Sequence, residues 1–182
     1  MERAVGRGHD VRAFARAPER VVEGAEIVLG DASDADAVAA AISGRDAVIT
    51  ALGVPIEGPT TALSRPTANV VHVAEAAGVR RLSAVLSMVV FLSKVGERFA
   101  ENRNEHLRNL ETLRGSALEW VGLCPNAIED GPGSGSYVAV VDGKAPGGGI
   151  SRVDLADALL DSLERDDWVG HPVGVSNAGS AG

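Results

Sequence analysis

Four short apolar segments of this chain each run into a residue that could do chemistry. Val11–Ala15 leads to Arg16, with Arg20 close behind. Glu26–Leu29 leads to Gly30-Asp31-Ala32, Ala47–Leu52 to Gly53, and Arg81–Leu86 to Ser87. A guanidinium grips a phosphate through paired hydrogen bonds. A carboxylate accepts from amino and hydroxyl groups, and a serine hydroxyl both donates and accepts. A glycine lets backbone come close to a bound molecule. His106 adds an imidazole, and Leu110 and Leu113 follow it at helical spacing, so the three share one face. Each residue has a plainer alternative. Arg16 could be a solvated surface arginine, Asp31 the cap of the next helix, and Gly53 a turn glycine. Ser87 could bond its own backbone, and His106 could be a partly buried side chain bonded to backbone.

The elements that must position these residues alternate. Residues 1–10 read as the tail of a helix, followed at once by the strand at Val11. A turn or short helix opens at Pro18-Glu19-Arg20. An alanine-rich helix spans Asp34–Ile42, capped by Ser33 or Asp34 and stopped by Gly44. The run Ala47–Leu52 is apolar throughout, as in a strand buried on both faces. A helix covers Thr60–Ala77, with Pro66 marking a kink or a late start. A further helix runs from Arg98 to Arg114, and Leu118–Leu123 is a strand before Pro125. Then follow a strand at Tyr137–Val141, a helix over Ser151–Arg165, a strand at Val173–Ser176 and a tail, Ala178–Gly182, expected to fray. Strands separated by helices imply right-handed crossovers and a mainly parallel sheet. In such a sheet ligands sit at the carboxyl ends of the strands, where the residues above are found. An arginine at the first such position suits the 2′-phosphate of NADP, and the acidic residue expected for NAD does not stand there.

Composition narrows the partners. A net charge of −8 argues against nucleic acid and anionic membranes. The single cysteine, Cys124, forms no internal disulfide and fits a reducing compartment. Met1 is followed by charged residues and Leu82–Leu92 is too short to span a bilayer. The expectation is a cytoplasmic protein, monomeric or homodimeric, acting on a small molecule. Several chemistries lack their residues. Tyr137 has Val141 four residues on, so no tyrosine–lysine pair exists, and no Cys/His cluster or G-x-S-x-G elbow is present. Gly147-Gly148-Gly149 precedes a helix, but no strand leads cleanly into it.

The segments Asp46–Gly53, Pro59-Thr60-Thr61, Ala76–Val79, Leu118–Val121, Asp130-Gly131-Pro132, Gly135-Ser136-Tyr137, Val141-Asp142-Gly143 and Ile150–Leu155 recur in a fixed order. In that order the chain resembles the atypical short-chain NAD(P)H-binding reductases of the biliverdin reductase B, or flavin reductase, type over nearly its whole length. The resemblance implies a single Rossmann-like, doubly wound α/β domain that uses NADPH to reduce a flavin or similar conjugated acceptor by hydride transfer. By position it assigns Arg16 to the 2′-phosphate, Asp31 and Ala32 to the adenine side, and Leu52 and Gly53 to the backbone beside the cofactor. It assigns Ser87 to the nicotinamide and His106 to the acceptor.

The chain also departs from the family. The first strand and its glycine-rich loop are missing, Ala127 stands where a second histidine is usual, and Leu86 stands where threonine or serine is usual. These changes favour a flavin over a tetrapyrrole, because a bound flavin needs mainly correct placement. They also keep open a non-catalytic or truncated relative with weak or no cofactor binding. The gap left in the sheet centre could be met by a start codon upstream, by direct pairing of the strands at Val11 and Ala47, or by a second chain.

Overall fold

The computed structural model describes residues 1–17, 23–53 and 60–177. Arg20, Val54, the turn expected at Pro18 and the tail at Ala178–Gly182 lie outside the described residues. The chain begins with a short helix, α1 (Glu2–Gly6), then two strands, β1 (Arg12–Ala15) and β2 (Glu26–Leu29). Helix α2 (Ala35–Ile42), strand β3 (Ala47–Thr50), helix α3 (Ser64–Ala76) and strand β4 (Arg81–Val85) follow. A 3₁₀ turn at Met88–Phe91 and another at Glu97–Phe99 lead into α4 (Ala100–Arg114). The remainder is β5 (Glu119–Pro125), β6 (Ile128–Glu129), β7 (Tyr137–Val141), β8 (Ile150–Ser151), α5 (Arg152–Asp161) and β9 (His171–Asn177).

The main sheet has the order β3-β4-β5-β9-β7, parallel except for β7, which pairs antiparallel to β9. β1 and β2 pair parallel in a sheet of their own, and β6 and β8 form a third small pair. The architecture is Rossmann-like and mainly parallel. Direct pairing of the strands at Val11 and Ala47 is not adopted: β1 pairs with β2 and β3 with β4. β3 is accordingly an edge, and Ile49 is 37% exposed although Ala47-Val48-Ile49 is apolar throughout. Side chains hold the two sheets in step. Arg45 Nη1 donates to Asp10 Oδ2 at 2.7 Å, tying the starts of β1 and β3 together. Arg12 Nη1 donates to the carbonyls of Ala40, Ala41 and Ser43, satisfying the carboxyl end of α2.

The two faces of the main sheet bury separate cores, as strand alternation requires. Trp120 and Cys124 of β5 join Leu82, Ala84 and Leu86 under α2, α3 and α4. Val121 and Leu123 of β5 join Val173 and Val175 under α5. Ser83 turns to the α5 face and accepts from Ser162 Oγ at 2.6 Å, so this buried hydroxyl pair is satisfied. α1 contributes no fully buried residue. It is held on α5 by charge, with Arg3 bidentate to Asp157 and Arg7 bonded to Asp157 and Asp161. Among the described residues no helix is long and apolar enough to cross a membrane.

The boundaries differ from expectation where local chemistry decides them. α3 starts at Ser64, so Pro66 falls in its first turn, where a missing N–H costs little. β3 ends at Thr50, two residues before the expected end at Leu52. α5 stops at Asp161 and yields to a 3₁₀ turn whose Trp168 is buried. Gly122 is needed for close approach: a Cβ there would lie 2.6 Å from Leu86 Cδ1. Gly122→Ala is expected to destabilise the fold by about 1–3 kcal/mol through overpacking, read as a lower urea midpoint at unchanged m-value.

Candidate functional site

The carboxyl ends of β1 and β2 form one shelf. Gly30 N donates to Ala15 O at 3.1 Å, so Arg16 and Asp31 leave adjacent strands side by side. Asp31 is not the helix cap. Asp34 caps α2, accepting from Asp36 N and Ala37 N. Asp31 Oδ1 instead accepts from Ser33 N at 2.8 Å, an Asx turn that leaves the residue exposed on the shelf. Its carboxyl is held below the usual range by the Ser33 N–H and hydroxyl, then by Arg16 and Arg65. The carbonyl of Ala32 accepts from Asn69 Nδ2 at 3.0 Å, which docks the shelf on α3.

Next along the rim, Leu52 is half-buried and Gly53 exposed, just past the end of β3. At the end of β4, Leu86 N donates to Leu123 O at 2.7 Å and its side chain enters the core. That explains an apolar residue at this position: it faces Gly122, not the rim. Ser87 caps the following 3₁₀ turn, its Oγ accepting weakly from Val89 N at 3.4 Å. This local bond uses the oxygen as acceptor and leaves the Ser87 O–H proton to be donated.

His106 lies on the buried face of α4 with Leu110 and Leu113, as its spacing required, and is only 6% exposed. Burial depresses its pKa from 6.5 to about 4, against a small opposing effect of Glu105, so the imidazole is neutral at pH 7. Its Nδ1 is buried without a hydrogen-bond partner. The backbone bond considered for it is not made.

Two carboxylates absent from the sequence-based set organise the surroundings. Glu105 is fully buried on α4 and caps α3 from outside, accepting from Leu63 N, Ser64 N and Ser64 Oγ at 2.8–3.0 Å. Asp154, in the first turn of α5, accepts from Ser134 N, Gly135 N, Ser151 Oγ and Asn177 Nδ2. This ties the glycine-rich loop after β6 to the end of β9. It also shows why Gly147-Gly148-Gly149 is no phosphate loop: Ser151 caps the helix that follows, and the protein's own carboxylate occupies its first turn. Cys124 is a packed thiol whose pKa burial pushes up. A surface concavity at the opposite end of the strands is lined by Glu75, Gly78, Arg80, Ala117 and Glu119, and there Arg80 and Glu119 neutralise each other.

Cationic and hydrogen-bonding groups stand on the β1–β2 shelf, Gly53 is exposed just past β3, and Ser87, whose oxygen accepts from Val89 N, keeps a proton to donate. A nicotinamide dinucleotide fits the shelf and the far end by chemistry. The β2–Gly30–α2 turn offers no pyrophosphate cradle, because Asp31 accepts from Ser33 N and Asp34 takes the N–H groups of the first turn of α2. Arg65 and Asn69 escaped the sequence reading because a helical arginine and asparagine carry no local signal. Their relation to the shelf exists only once α3 packs beside it.

The family description "NAD(P)H-binding" matches residues 1–166. Solved structures of similar fold include ChuY, an anaerobillin reductase from Escherichia coli O157:H7, with TM-score 0.76 and 22% identity over 98% of this chain and 89% of that one. A Rossmann-fold NAD(P)-binding family protein from Shigella flexneri matches with TM-score 0.73 and 24% identity over 93% and 81%. A short-chain dehydrogenase/reductase from Veillonella parvula DSM 2008, solved in complex with NADP, matches with TM-score 0.71 and 15% identity over 93% and 83%.

Proposed function

This chain belongs to the NAD(P)H-binding family, and on that premise we propose that it is an NADPH-dependent oxidoreductase that reduces a flat, conjugated acceptor of the flavin type. The observation that carries this reading is the arrangement of Arg16, Asp31, Gly53 and Ser87 at the carboxyl ends of parallel strands whose starts Arg45 and Asp10 tie together. That is where doubly wound sheets bind dinucleotides. Arg16 would hold the 2′-phosphate, and Asp31 and Ala32 the adenine side. The backbone at Leu52 and Gly53 would line the middle. Bound there, the nicotinamide supplies a hydride. The protein's own part is placement. Ser87 offers its O–H to orient the ring or the acceptor. His106, neutral at physiological pH, offers hydrogen bonding and no imidazolium proton. The ChuY and NADP-bound relatives support a reductase that uses this cofactor.

The test is calorimetric titration of the purified chain with NADPH and NADH, followed by stopped-flow oxidation of NADPH with flavin mononucleotide. The expected result is micromolar NADPH binding and flavin-dependent loss of absorbance at the reduced-nicotinamide band. Arg16→Gln is expected to weaken NADPH about 10-fold, one charge-assisted contact, and to leave NADH within twofold. Absence of NADPH binding up to millimolar concentration sinks the reading. It would favour a non-catalytic relative, for which the lack of a pyrophosphate cradle among the described residues speaks.

A further inference from the structure

We propose that Arg65, on the first turn of α3, is the second arm of a two-arginine clamp for a phosphomonoester, with Arg16 as the first arm. The inference rests on the cofactor reading above and names the residue pair that would set its preference for a 2′-phosphate. β3 and β4 are parallel neighbours joined through α3, so α3 runs against the strands and its first turn stands at their carboxyl ends. Asn69 of α3 reaches down to the Ala32 carbonyl. Arg65 is one turn earlier, four residues before Asn69, and so lies on the same face of the helix, nearer the rim. Both Arg16 and Arg65 lower the Asp31 carboxyl, so both stand within its electrostatic reach.

Both arginines are exposed, and neither guanidinium makes a hydrogen bond or ion pair with a described residue. Several other arginines are spent on carboxylates, among them Arg45 on Asp10, Arg81 on Asp166, Arg108 on Glu105 and Arg152 on Asp130. Neither guanidinium is neutralised by a direct ion pair with a described residue. Each retains its planar set of donors, the geometry that suits a phosphate dianion. Asp31 Oδ1 is turned to Ser33 N. The ligand class is thus a phosphate monoester on a nucleoside.

The experiment measures dissociation constants of 2′,5′-ADP, 5′-ADP, NADPH and NADH by calorimetry for the wild-type chain, Arg65→Gln, Arg65→Lys and Arg16→Gln, with circular dichroism melts to confirm folding. The clamp predicts that Arg65→Gln weakens 2′,5′-ADP and NADPH about 10-fold, as one charge-assisted contact is worth. It predicts that 5′-ADP and NADH stay within twofold, and that Arg65→Lys recovers part of the loss. Equal losses for 2′,5′-ADP and 5′-ADP would place Arg65 on the adenine or 5′-phosphate and overturn the clamp. So would wild-type affinity in Arg65→Gln. If the wild-type chain binds none of the four ligands, the cofactor reading itself fails, an outcome distinct from failure of the clamp alone.

Discussion

Glu105→Ala is expected to lower stability by about 2–4 kcal/mol, the sum of a lost helix cap and buried donors left unpaired. The first turn of α3 has no side-chain cap of its own. Its orphan N–H groups at Leu63 and Ser64 are met by the Glu105 carboxylate from α4, which also accepts from Ser64 Oγ and Arg108 Nε. Removing it strands two backbone donors and leaves Arg108 held by Glu101 and the Thr60 carbonyl. Burial opposes ionisation of Glu105, but these hydrogen bonds outweigh it and hold its pKa below the usual range. Glu105→Gln keeps the volume and one acceptor, so it should cost less than half as much. The check is urea unfolding by circular dichroism, alongside hydrogen exchange at residues 63–67. Arg65 lies in this turn. A selective rise in exchange there should accompany weaker phosphate binding, and equal protection in wild type and Glu105→Ala would refute the capping role.

The second large effect is at Asp154. Asp154→Ala is expected to cost about 2–4 kcal/mol, because Ser134 N, Gly135 N, Ser151 Oγ and Asn177 Nδ2 lose their common acceptor. The residue is 1% exposed. Burial favours its neutral form, yet the bonds from Ser134, Ser151, Asn177 and Gly135 prevail, and its pKa falls from 3.8 to about 2. A carboxyl with a depressed folded-state pKa adds stability that is present above the unfolded value and lost as pH falls through the folded one. The Asp154 contribution should therefore disappear between about pH 4 and pH 2. His106 acts higher on the scale. Its folded pKa is about 4 against 6.5, so the unfolded chain binds the extra proton and stability already declines as pH drops from 6.5 towards 4. The urea midpoint of the wild-type chain should fall in two stages on acidification. His106→Phe should flatten the upper stage and Asp154→Asn the lower. A single stage untouched by either variant would refute both assignments.

Much of the fold was legible in the chain because strands and helix stops are local. Apolar runs with glycine or aspartate at their ends located β2 and β7 to the residue, and the cap of α2 was narrowed to Ser33, Asp34 or Asp31, of which Asp34 is the one used. Periodicity put His106 on a buried face, where it lies. The placement of Arg16, Asp31 and Ser87 at strand ends followed from the same patterns. The 3₁₀ turn at Met88–Phe91 and the short pair β6–β8 were not legible. They are too brief to show a period, and they form because neighbouring segments pack against them.

Order along the chain determined a parallel α/β architecture and which residues reach the rim, since alternation of strand and helix leaves few ways to cover an apolar sheet. Only the tertiary structure decided which of those residues are engaged and which are free. Glu105 finds its partners some forty residues away and Asp154 about twenty. Asn69 docks α3 on Ala32, thirty-seven residues away in the chain. Whether β1 would join β3 was likewise decided in three dimensions, where each strand pairs with its other neighbour. Hydrogen bonds and ion pairs between distant segments depend on where packed elements bring their ends, and no local pattern encodes that.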